Sequence, residues 1–362
     1  MNTTLQSMMN EAARLTRSGD LQAATAAIQA ALAGSSTVGF TPPGDGNAAT
    51  QGDKGWVIDM EPVSPRSAPP GEAHTRAPSA ELPVGGRFES GRFTEAAGTR
   101  DYKLYIPPGA GERALPLVVM LHGCTQNPDD FAAGTRMNEA ALAQGFFVLY
   151  PAQSQKVNPQ RCWNWFKHSH QQRGRGEPAL LAGMTREVMS NQLIDPQRVF
   201  VAGLSAGGAM AAILGETYPE LFAAVGVHSG LAAGAASDLP SALAAMKGAG
   251  AKARGAASGV PTIVFHGDAD TTVHPSNGEQ VIAASADAAA RVEVEQVEGR
   301  SGTRRIHRTA DGRVVAEHWV VHGAPHAWSG GSARGSYTYG RGPDASAEML
   351  RFFFEHPRRT AH

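Results

Sequence analysis

From residue 87 onward, short apolar runs alternate with longer amphipathic segments. The runs at 115–121, 199–202 and 262–266 are apolar at nearly every position, which is typical of parallel strands covered by helices on both faces. The predicted strands are 87–94, 100–106, 115–121, 146–150, 199–202, 224–228, 262–266, 292–297, 304–309 and 316–321, and the predicted helices are 129–144, 178–191, a segment from 209 onward, 275–290 and 344–355. This alternation predicts an α/β fold with a mainly parallel sheet between two layers of helices.

The first 85 residues follow a different pattern. Apolar residues between Leu5 and Leu32 recur at helical spacing, with a break at Gly19 and Asp20, which predicts a helical hairpin over 1–33. Residues 34–85 are rich in Gly, Pro, Ser, Thr and Ala and predict a largely disordered linker, because they cannot bury enough apolar surface to offset the entropy of ordering. The remaining residues, 86–362, are predicted to form the α/β domain.

Composition excludes several classes of protein. The 362 residues carry a net charge of −1 and are 42% hydrophobic, so the chain is globular and shows no basic excess for a nucleic-acid partner. No apolar run is long enough to span a bilayer. The first twenty residues lack a basic segment followed by an apolar one, so no secretory signal is predicted and a cytoplasmic location is favoured.

The segment Gly203-Leu204-Ser205-Ala206-Gly207 lies between a predicted strand and a predicted helix. This G-x-S-x-G pattern predicts a nucleophile elbow, in which a tight turn presents the Ser205 hydroxyl above the edge of the sheet. The pattern alone is weak in a chain with 42 glycines, for which a glycine-rich turn without chemistry is the alternative.

A hydrolytic serine needs a base and a carboxylate that orients the base. In α/β-hydrolases these follow the serine in the order Asp or Glu, then His. The predicted strand 262–266 leads into His266-Gly267-Asp268-Ala269-Asp270, at the edge where the elbow lies. Asp270 is the predicted orienting carboxylate, and Asp268 is the alternative.

His326 is the predicted base, because it follows Gly and Pro in a loop after the last predicted strand. His318 and His322 resemble a metal pair, but no third ligand at a zinc spacing accompanies them, so ordinary strand histidines are favoured and no metal is predicted. His122 and His266 are interpreted as strand-end residues that pack beneath the site.

Oxyanion binding requires two backbone donors. The N–H groups of Cys124, after the early strand, and of Ala206, after the serine, occupy the expected places. The two cysteines, Cys124 and Cys162, include no C-x-x-C pair, so a thiolate metal site is not expected. They form either one disulfide or two buried thiols. The predicted chemistry needs no cofactor.

Five motifs in this order resemble the poly(3-hydroxybutyrate) depolymerase family of esterases, related to feruloyl and acetylxylan esterases. The motifs are His122-Gly123-Cys124-Thr125-Gln126, Cys162-Trp163-Asn164-Trp165, Gly203-Leu204-Ser205-Ala206-Gly207-Gly208, His266-Gly267-x-x-Asp270 and His326-Ala327-Trp328. The resemblance covers about 86–354 and implies the α/β-hydrolase fold.

The resemblance also implies roles for individual residues. It implies the triad Ser205, Asp270 and His326, the oxyanion hole at Cys124 and Ala206, and a Cys124–Cys162 disulfide. It suggests Trp163 and Trp165 as a wall that binds substrate, for which packing in the core is the alternative. The implied activity is that of a serine esterase acting on 3-hydroxybutyrate polyester or its oligomers.

Two other functions stay open. One is a feruloyl or acetylxylan type of carbohydrate esterase, since the sequence does not define the acyl pocket. The other is an inactive granule-binding or scaffold protein, with the hairpin over 1–33 docking to a partner or a granule surface. Secreted depolymerases carry a signal peptide and often a polymer-binding domain, so an extracellular location is the alternative to a cytoplasmic one.

Overall fold

The computed structural model describes residues 85–249, 259–286, 289–297 and 302–358. The hairpin predicted over 1–33 and the linker predicted over 34–85, except its last residue, lie outside the described residues. The domain boundaries therefore stay predictions. No helix in these four ranges is long and apolar enough to cross a membrane.

Ten strands of the described chain form one sheet. In chain order they are β1 (Arg87–Glu95), β2 (Gly98–Ile106), β3 (Leu115–Leu121), β4 (Phe147–Pro151), β5 (Ile194–Leu204), β6 (Ala224–His228), β7 (Thr262–Gly267), β8 (Arg291–Val297), β9 (Gly302–Arg308) and β10 (Val314–Val321). Two further strands, β11 (Trp328–Ser329) and β12 (Thr338–Tyr339), pair with each other and were not predicted.

The strand order is β1-β2-β4-β3-β5-β6-β7-β10-β9-β8. The six central strands from β4 to β10 are parallel, and antiparallel strands flank them at both edges. This is the mainly parallel sheet that the sequence predicts. Because the central strands run in one direction, the residues that follow β3, β5, β7 and β10 all emerge at the same edge of the sheet.

The helices are α1 (Pro128–Thr135), α2 (Met137–Gln144), α3 (Gly176–Asn191), α4 (Ala206–Thr217), α5 (Leu239–Ala244), α6 (Ser276–Ser285) and α7 (Ala345–Glu355). The single helix predicted over 129–144 is wrong: Arg136, at φ 57° and ψ 24°, separates α1 from α2. Ending α1 at this point frees the carbonyl oxygen of Gly134, which accepts the N–H of Ser332 at 2.8 Å. The break thus docks a distant loop.

The structure differs from the predicted helices at two other places. The helix predicted over 275–290 ends at Ser285, where Ala286 turns extended. Helix α5 was not predicted; Asp238 begins it with a capping box to Ser241, which satisfies free N–H groups of the first turn.

The core lies on both faces of the sheet. Along β3, Leu117, Val119 and Leu121 pack on one side, and Val118 and Met120 pack on the other. All five are completely buried, which explains why the run is apolar at every position rather than at alternate ones. The sheet is therefore a rigid platform for the loops at its carboxyl edge.

Burial lowers the pKa of His122 to about 4, the pKa of His318 to about 3 and the pKa of His228 well below its ordinary value. Between about pH 6.5 and pH 4 the unfolded chain takes up protons at these side chains and the folded chain does not. We therefore expect the free energy of unfolding to decrease as the pH falls through this window. His122 alone contributes about 3 kcal/mol of this loss.

Urea unfolding at pH 7, 6 and 5 measures this decrease. His318→Leu removes one titrating group and should make the decrease shallower by about one proton, whereas His168→Gln, at an exposed position, should leave it unchanged. A free energy of unfolding that is constant or rises between pH 7 and 5 would contradict the prediction.

Candidate active site

Ser205 occupies the sharp turn between β5 and α4, with φ 57° and ψ −119°. This backbone conformation is strained for any residue other than glycine. The glycines beside it are required by space: a Cβ on Gly203 would lie 2.4 Å from the Gly207 carbonyl, and one on Gly207 would lie 2.0 Å from the Leu121 oxygen. The elbow predicted from the sequence is therefore present, and it packs directly on the end of β3.

The two predicted oxyanion donors lie on these touching segments. Ala206 is the first residue of α4, where N–H groups have no partner within the helix and the helix dipole is positive. Cys124 follows β3, and its N–H has no acceptor among the described residues. Thr125, at φ 66°, turns the chain away immediately afterwards and donates its N–H to Gln160 at 2.6 Å.

Asp270 and His326 meet at the same edge, after β7 and β10. The Nδ1 atom of His326 lies 2.7 Å from Oδ2 of Asp270, and their side chains are 9% and 0% exposed. The other oxygen, Oδ1, accepts the N–H groups of Thr272 and Val273 at 2.9 and 2.8 Å. Burial alone would raise the pKa of Asp270, but hydrogen bonds from His266 and His326 and the charge of His326 lower it well below the ordinary range. The carboxylate therefore stays ionised.

Asp268 occupies a different environment. Its side chain is 41% exposed, accepts the Gly323 N–H at 2.7 Å and lies 2.9 Å from Nδ1 of His322. The structure thus brings Asp270, and not Asp268, to His326. His318 is buried in β10, whereas His322 belongs to this exposed pair. Among the described residues, no three or more metal-binding side chains form a cluster.

His228 links the serine to the histidine segment. Its carbonyl oxygen accepts the Ser205 N–H at 2.9 Å, and its Nε2 accepts the Ser329 N–H at 2.9 Å. Since Ser329 follows His326 by three residues, these bonds hold the elbow and residues 326–329, the histidine segment, against each other. Sequence analysis missed this role, because nothing in the pattern around His228 distinguishes it from any other strand end.

Trp163 and Trp165 lie in the core. Trp163 is completely buried and donates its indole N–H to the His122 carbonyl oxygen at 3.1 Å, and Trp165 is 6% exposed. Trp163 thus packs against the backbone of residues 122–126, the predicted oxyanion segment, and offers no surface to a ligand. The position of Trp163 therefore fits the alternative interpretation, in which the residue packs in the core.

A second loop, between β11 and β12, covers the segment after Cys124. Gln126 donates to the Ser336 carbonyl oxygen at 3.2 Å, Ser336 donates its N–H to Asp130 at 2.8 Å, and the hydroxyls of Thr125 and Tyr337 lie 3.0 Å apart. Sequence analysis did not identify this loop. It ties the histidine segment to the oxyanion segment, more than 200 residues away in sequence.

Cys124 and Cys162 form a disulfide, as the family resemblance implies. It closes a loop of 38 residues and connects the oxyanion segment to the loop of Trp163. We expect the double substitution Cys124→Ala and Cys162→Ala to lower the free energy of unfolding by about 4 kcal/mol on the chain-entropy estimate. We also expect a lower kcat, because the oxyanion segment loses its covalent anchor.

Urea unfolding and steady-state kinetics measure both effects. Reductant should reproduce the losses in the wild type and change nothing in the double variant. A double variant as stable and active as the oxidised wild type would refute the anchoring role.

Comparisons with known proteins show which family the chain resembles. A family model described as esterase PHB depolymerase matches residues 100–308. Poly(3-hydroxyalkanoate) depolymerase C of Paucimonas lemoignei is 31% identical over 237 residues, which are 61% of this chain and 57% of that protein. Feruloyl esterase B of Neurospora crassa is 34% identical over 141 residues, 38% of this chain and 47% of that protein. The chain spans about half the length of the curated relatives it matches.

A solved structure gives the same fold. Acetyl xylan esterase from Aspergillus awamori aligns with a TM-score of 0.58 over 74% of this chain and 99% of that one, at 19% identity. At this identity the alignment shows the shared α/β-hydrolase fold alone. The family match, however, covers more than half of the 362 residues, and the chain therefore belongs to the esterase PHB depolymerase family.

Proposed function

We propose that the protein is a serine hydrolase of carboxylic esters that works through an acyl-enzyme on Ser205. The observation that carries the proposal is the buried Asp270–His326 pair, which His228 and Ser329 hold beside the strained elbow at Ser205. A nucleophile, a base and a carboxylate that orients the base are the three parts that acyl transfer requires. Family membership supports the same reaction.

The proposal gives each group a role. Asp270 accepts the Nδ1–H of His326, which leaves Nε2 free to take the proton of the Ser205 hydroxyl as its oxygen attacks the ester carbonyl carbon. The N–H groups of Cys124 and Ala206 stabilise the negative oxygen of the tetrahedral intermediate. When this intermediate collapses, the ester C–O bond breaks and the proton on Nε2 passes to the leaving alcohol.

Water completes the cycle. His326 takes a proton from a water molecule that attacks the acyl carbon, and the second tetrahedral intermediate uses the same two N–H donors. Its collapse releases the carboxylic acid and returns the proton to the Ser205 oxygen. Asp270 stabilises the imidazolium at both stages and stays ionised throughout.

The proposed substrates are 3-hydroxybutyrate polyester or its oligomers. Support comes from the family description and from the similarity to poly(3-hydroxyalkanoate) depolymerase C, which extends over 61% of the chain. A carbohydrate esterase of the feruloyl or acetylxylan type is the second candidate. It is favoured by the likeness to feruloyl esterase B, at 34% identity over a shorter segment.

A substrate panel separates the candidates. The purified full chain is assayed on a soluble 3-hydroxybutyrate oligomer, on a methyl ferulate ester and on acetylated xylan. The depolymerase proposal expects kcat/KM for the oligomer to exceed those for the other two substrates. Cleavage of ferulate or acetyl esters alone would instead identify a carbohydrate esterase, and no cleavage of any ester would favour the inactive scaffold.

A further inference from the structure

Glu177 is a buried carboxylate outside the proposed triad. It lies in the first turn of α3 and is 2% exposed. Its Oε1 accepts the side-chain amides of Gln153 and Asn164 at 2.5 and 2.7 Å, and its Oε2 accepts the Asn164 N–H at 2.7 Å. An ionised carboxylate is expensive to bury, so this set of directed donors is a built arrangement.

Charge compensation keeps Glu177 ionised. The Arg100 guanidinium, itself buried, lies 3.4 Å from Oε1 and also donates to Gln153 at 2.9 Å. His170 Nδ1 lies 3.4 Å from Oε2. Burial alone would raise the pKa of Glu177, but hydrogen bonds from His170, Gln153 and Asn164 lower it below its ordinary value.

Gln153, one of the two amide residues that bind Glu177, is hydrogen-bonded to the oxyanion segment through His122. Gln153 donates its backbone N–H to Nε2 of His122 at 3.1 Å and its side-chain amide to the Cys162 carbonyl oxygen at 3.0 Å. The Nδ1–H of His122 in turn donates to the Gly123 carbonyl oxygen at 2.7 Å. A chain of hydrogen bonds therefore runs from Glu177 through Gln153 and His122 to the Gly123 carbonyl oxygen. This carbonyl belongs to the same peptide group as the Cys124 N–H.

A second branch runs through the loop of Trp163. Asn164 holds this loop to Glu177, and the loop contacts the oxyanion segment through the Trp163 indole, at the His122 carbonyl oxygen, and through the disulfide of Cys162. Both branches thus converge on His122–Cys124. Removing the carboxylate would release both at once.

We propose that Glu177 is a positioning residue that aims the Cys124 N–H at the oxyanion, by holding Gln153 and the Asn164 loop behind it. This role rests on the proposed function, because it assumes that the Cys124 N–H binds the oxyanion. Glu177 touches no reacting atom. In Glu177→Gln an amide N–H₂ group replaces one carboxylate oxygen and would face the N–H donors of Gln153 or Asn164, to which it cannot bond. Arg100 would also lose the negative charge that it faces.

Glu317 in β10 provides a matched control. It is also completely buried, and Arg304 and Arg351 donate to its carboxylate at 2.7 and 2.6 Å. Among the described residues its side-chain hydrogen bonds come from Arg304, Arg351 and Trp319, and none of them comes from the segments that carry Ser205, Cys124 or His326. Glu317→Gln therefore disturbs a buried ion pair of similar kind without touching the oxyanion segment.

The experiment compares Glu177→Gln, Asn164→Ala and Glu317→Gln in the full chain, well below each variant's Tm. On a soluble aryl ester we expect Glu177→Gln to lower kcat by about 30-fold with KM changed less than about twofold, since a small misplacement of an oxyanion donor costs up to about 10²-fold. Asn164→Ala should lower kcat in the same way but less, and it keeps the test informative where Glu177→Gln folds poorly. Glu317→Gln should keep the wild-type kcat.

Amide hydrogen exchange gives a second readout that needs no turnover. Peptides that cover 122–126 and 158–165 should exchange at least about tenfold faster in Glu177→Gln than in the wild type, because their anchoring bonds open locally. Peptides from β6 and β7 should exchange at the wild-type rate. Glu317→Gln should leave the 122–126 peptides unchanged.

The outcomes separate the two proposals. A wild type whose turnover depends on Ser205, together with equal kcat in Glu177→Gln and Glu317→Gln, would overturn the positioning role and leave the proposed function standing. A wild type without esterase activity would overturn the proposed function, and the exchange data would then decide whether Glu177 holds the segment. Unchanged exchange at 122–126 in Glu177→Gln overturns the inference in either case.

Discussion

Ser205→Ala is expected to lower kcat on any ester that the wild type hydrolyses by about 10⁵-fold. The substitution removes the protein atom that forms the covalent bond to the acyl group in the proposed mechanism. The oxyanion N–H groups remain, so a residual rate about 10³-fold above that of water is the expected floor. Steady-state and burst-phase kinetics with a chromogenic aryl ester measure both the rate and the loss of the acyl-enzyme.

A serine elsewhere provides the control. Ser190, at the exposed end of α3, donates its hydroxyl only to the Glu187 carbonyl oxygen among the described residues. Ser190→Ala should therefore keep the wild-type kcat and KM. If Ser205→Ala retains turnover within about tenfold of the wild type, the hydrolysis does not proceed through this serine and the mechanism is rejected.

Asp270→Asn is the second large effect, with an expected loss of about 10⁴-fold in kcat. The carboxylate accepts the Nδ1–H of His326 and so leaves Nε2 unprotonated and ready to accept the serine proton. An asparagine at this position donates an N–H to Nδ1 in its place, which puts the proton on Nε2 and removes the base. It also cannot stabilise the imidazolium. KM should change little, because the Asp270 side chain is completely buried and offers no surface to a substrate.

The neighbouring acid tests the assignment within one loop. Asp268→Asn alters the exposed pair with His322, and exposed ion pairs contribute little, so kcat should change less than about threefold. The two variants should therefore differ by more than about three orders of magnitude in kcat. A larger loss in Asp268→Asn than in Asp270→Asn would reverse the two roles.

Part of the site could be predicted because it depends on residues close in sequence. The elbow at Ser205 needs glycines on both sides of one turn, and the clash distances at Gly203 and Gly207 show why no other residue fits. The neighbouring strand β3 is apolar and buried at every position, because helices cover both faces of the sheet. A pattern of this kind determines the local structure in any α/β sheet, so the sequence indicated the fold and the edge at which the site lies.

Other features have no local signature. Asp268 and Asp270 follow the same strand two residues apart, and only the packing of the segment after β10 decides which one meets His326. The large aromatic side chain of Trp163 would suit either a wall that binds substrate or the hydrophobic core. Its complete burial and its hydrogen bond to the His122 carbonyl oxygen place it in the core. The break at Arg136 leaves the Gly134 carbonyl oxygen to a loop some 200 residues away, where it accepts the Ser332 N–H, and no nearby residue indicates this contact.

The sequence by itself determined the fold class, the family, the elbow and the set of candidate groups, since each follows from short-range pattern or from motifs with their own chemistry. Only the tertiary structure decided how these groups are supported. Glu177 has partners at Arg100, Gln153, Asn164 and His170, and no spacing rule connects them. Hydrogen bonds depend on distances of a few tenths of an ångström, and the folded sheet alone brings residues so far apart in the chain to such distances.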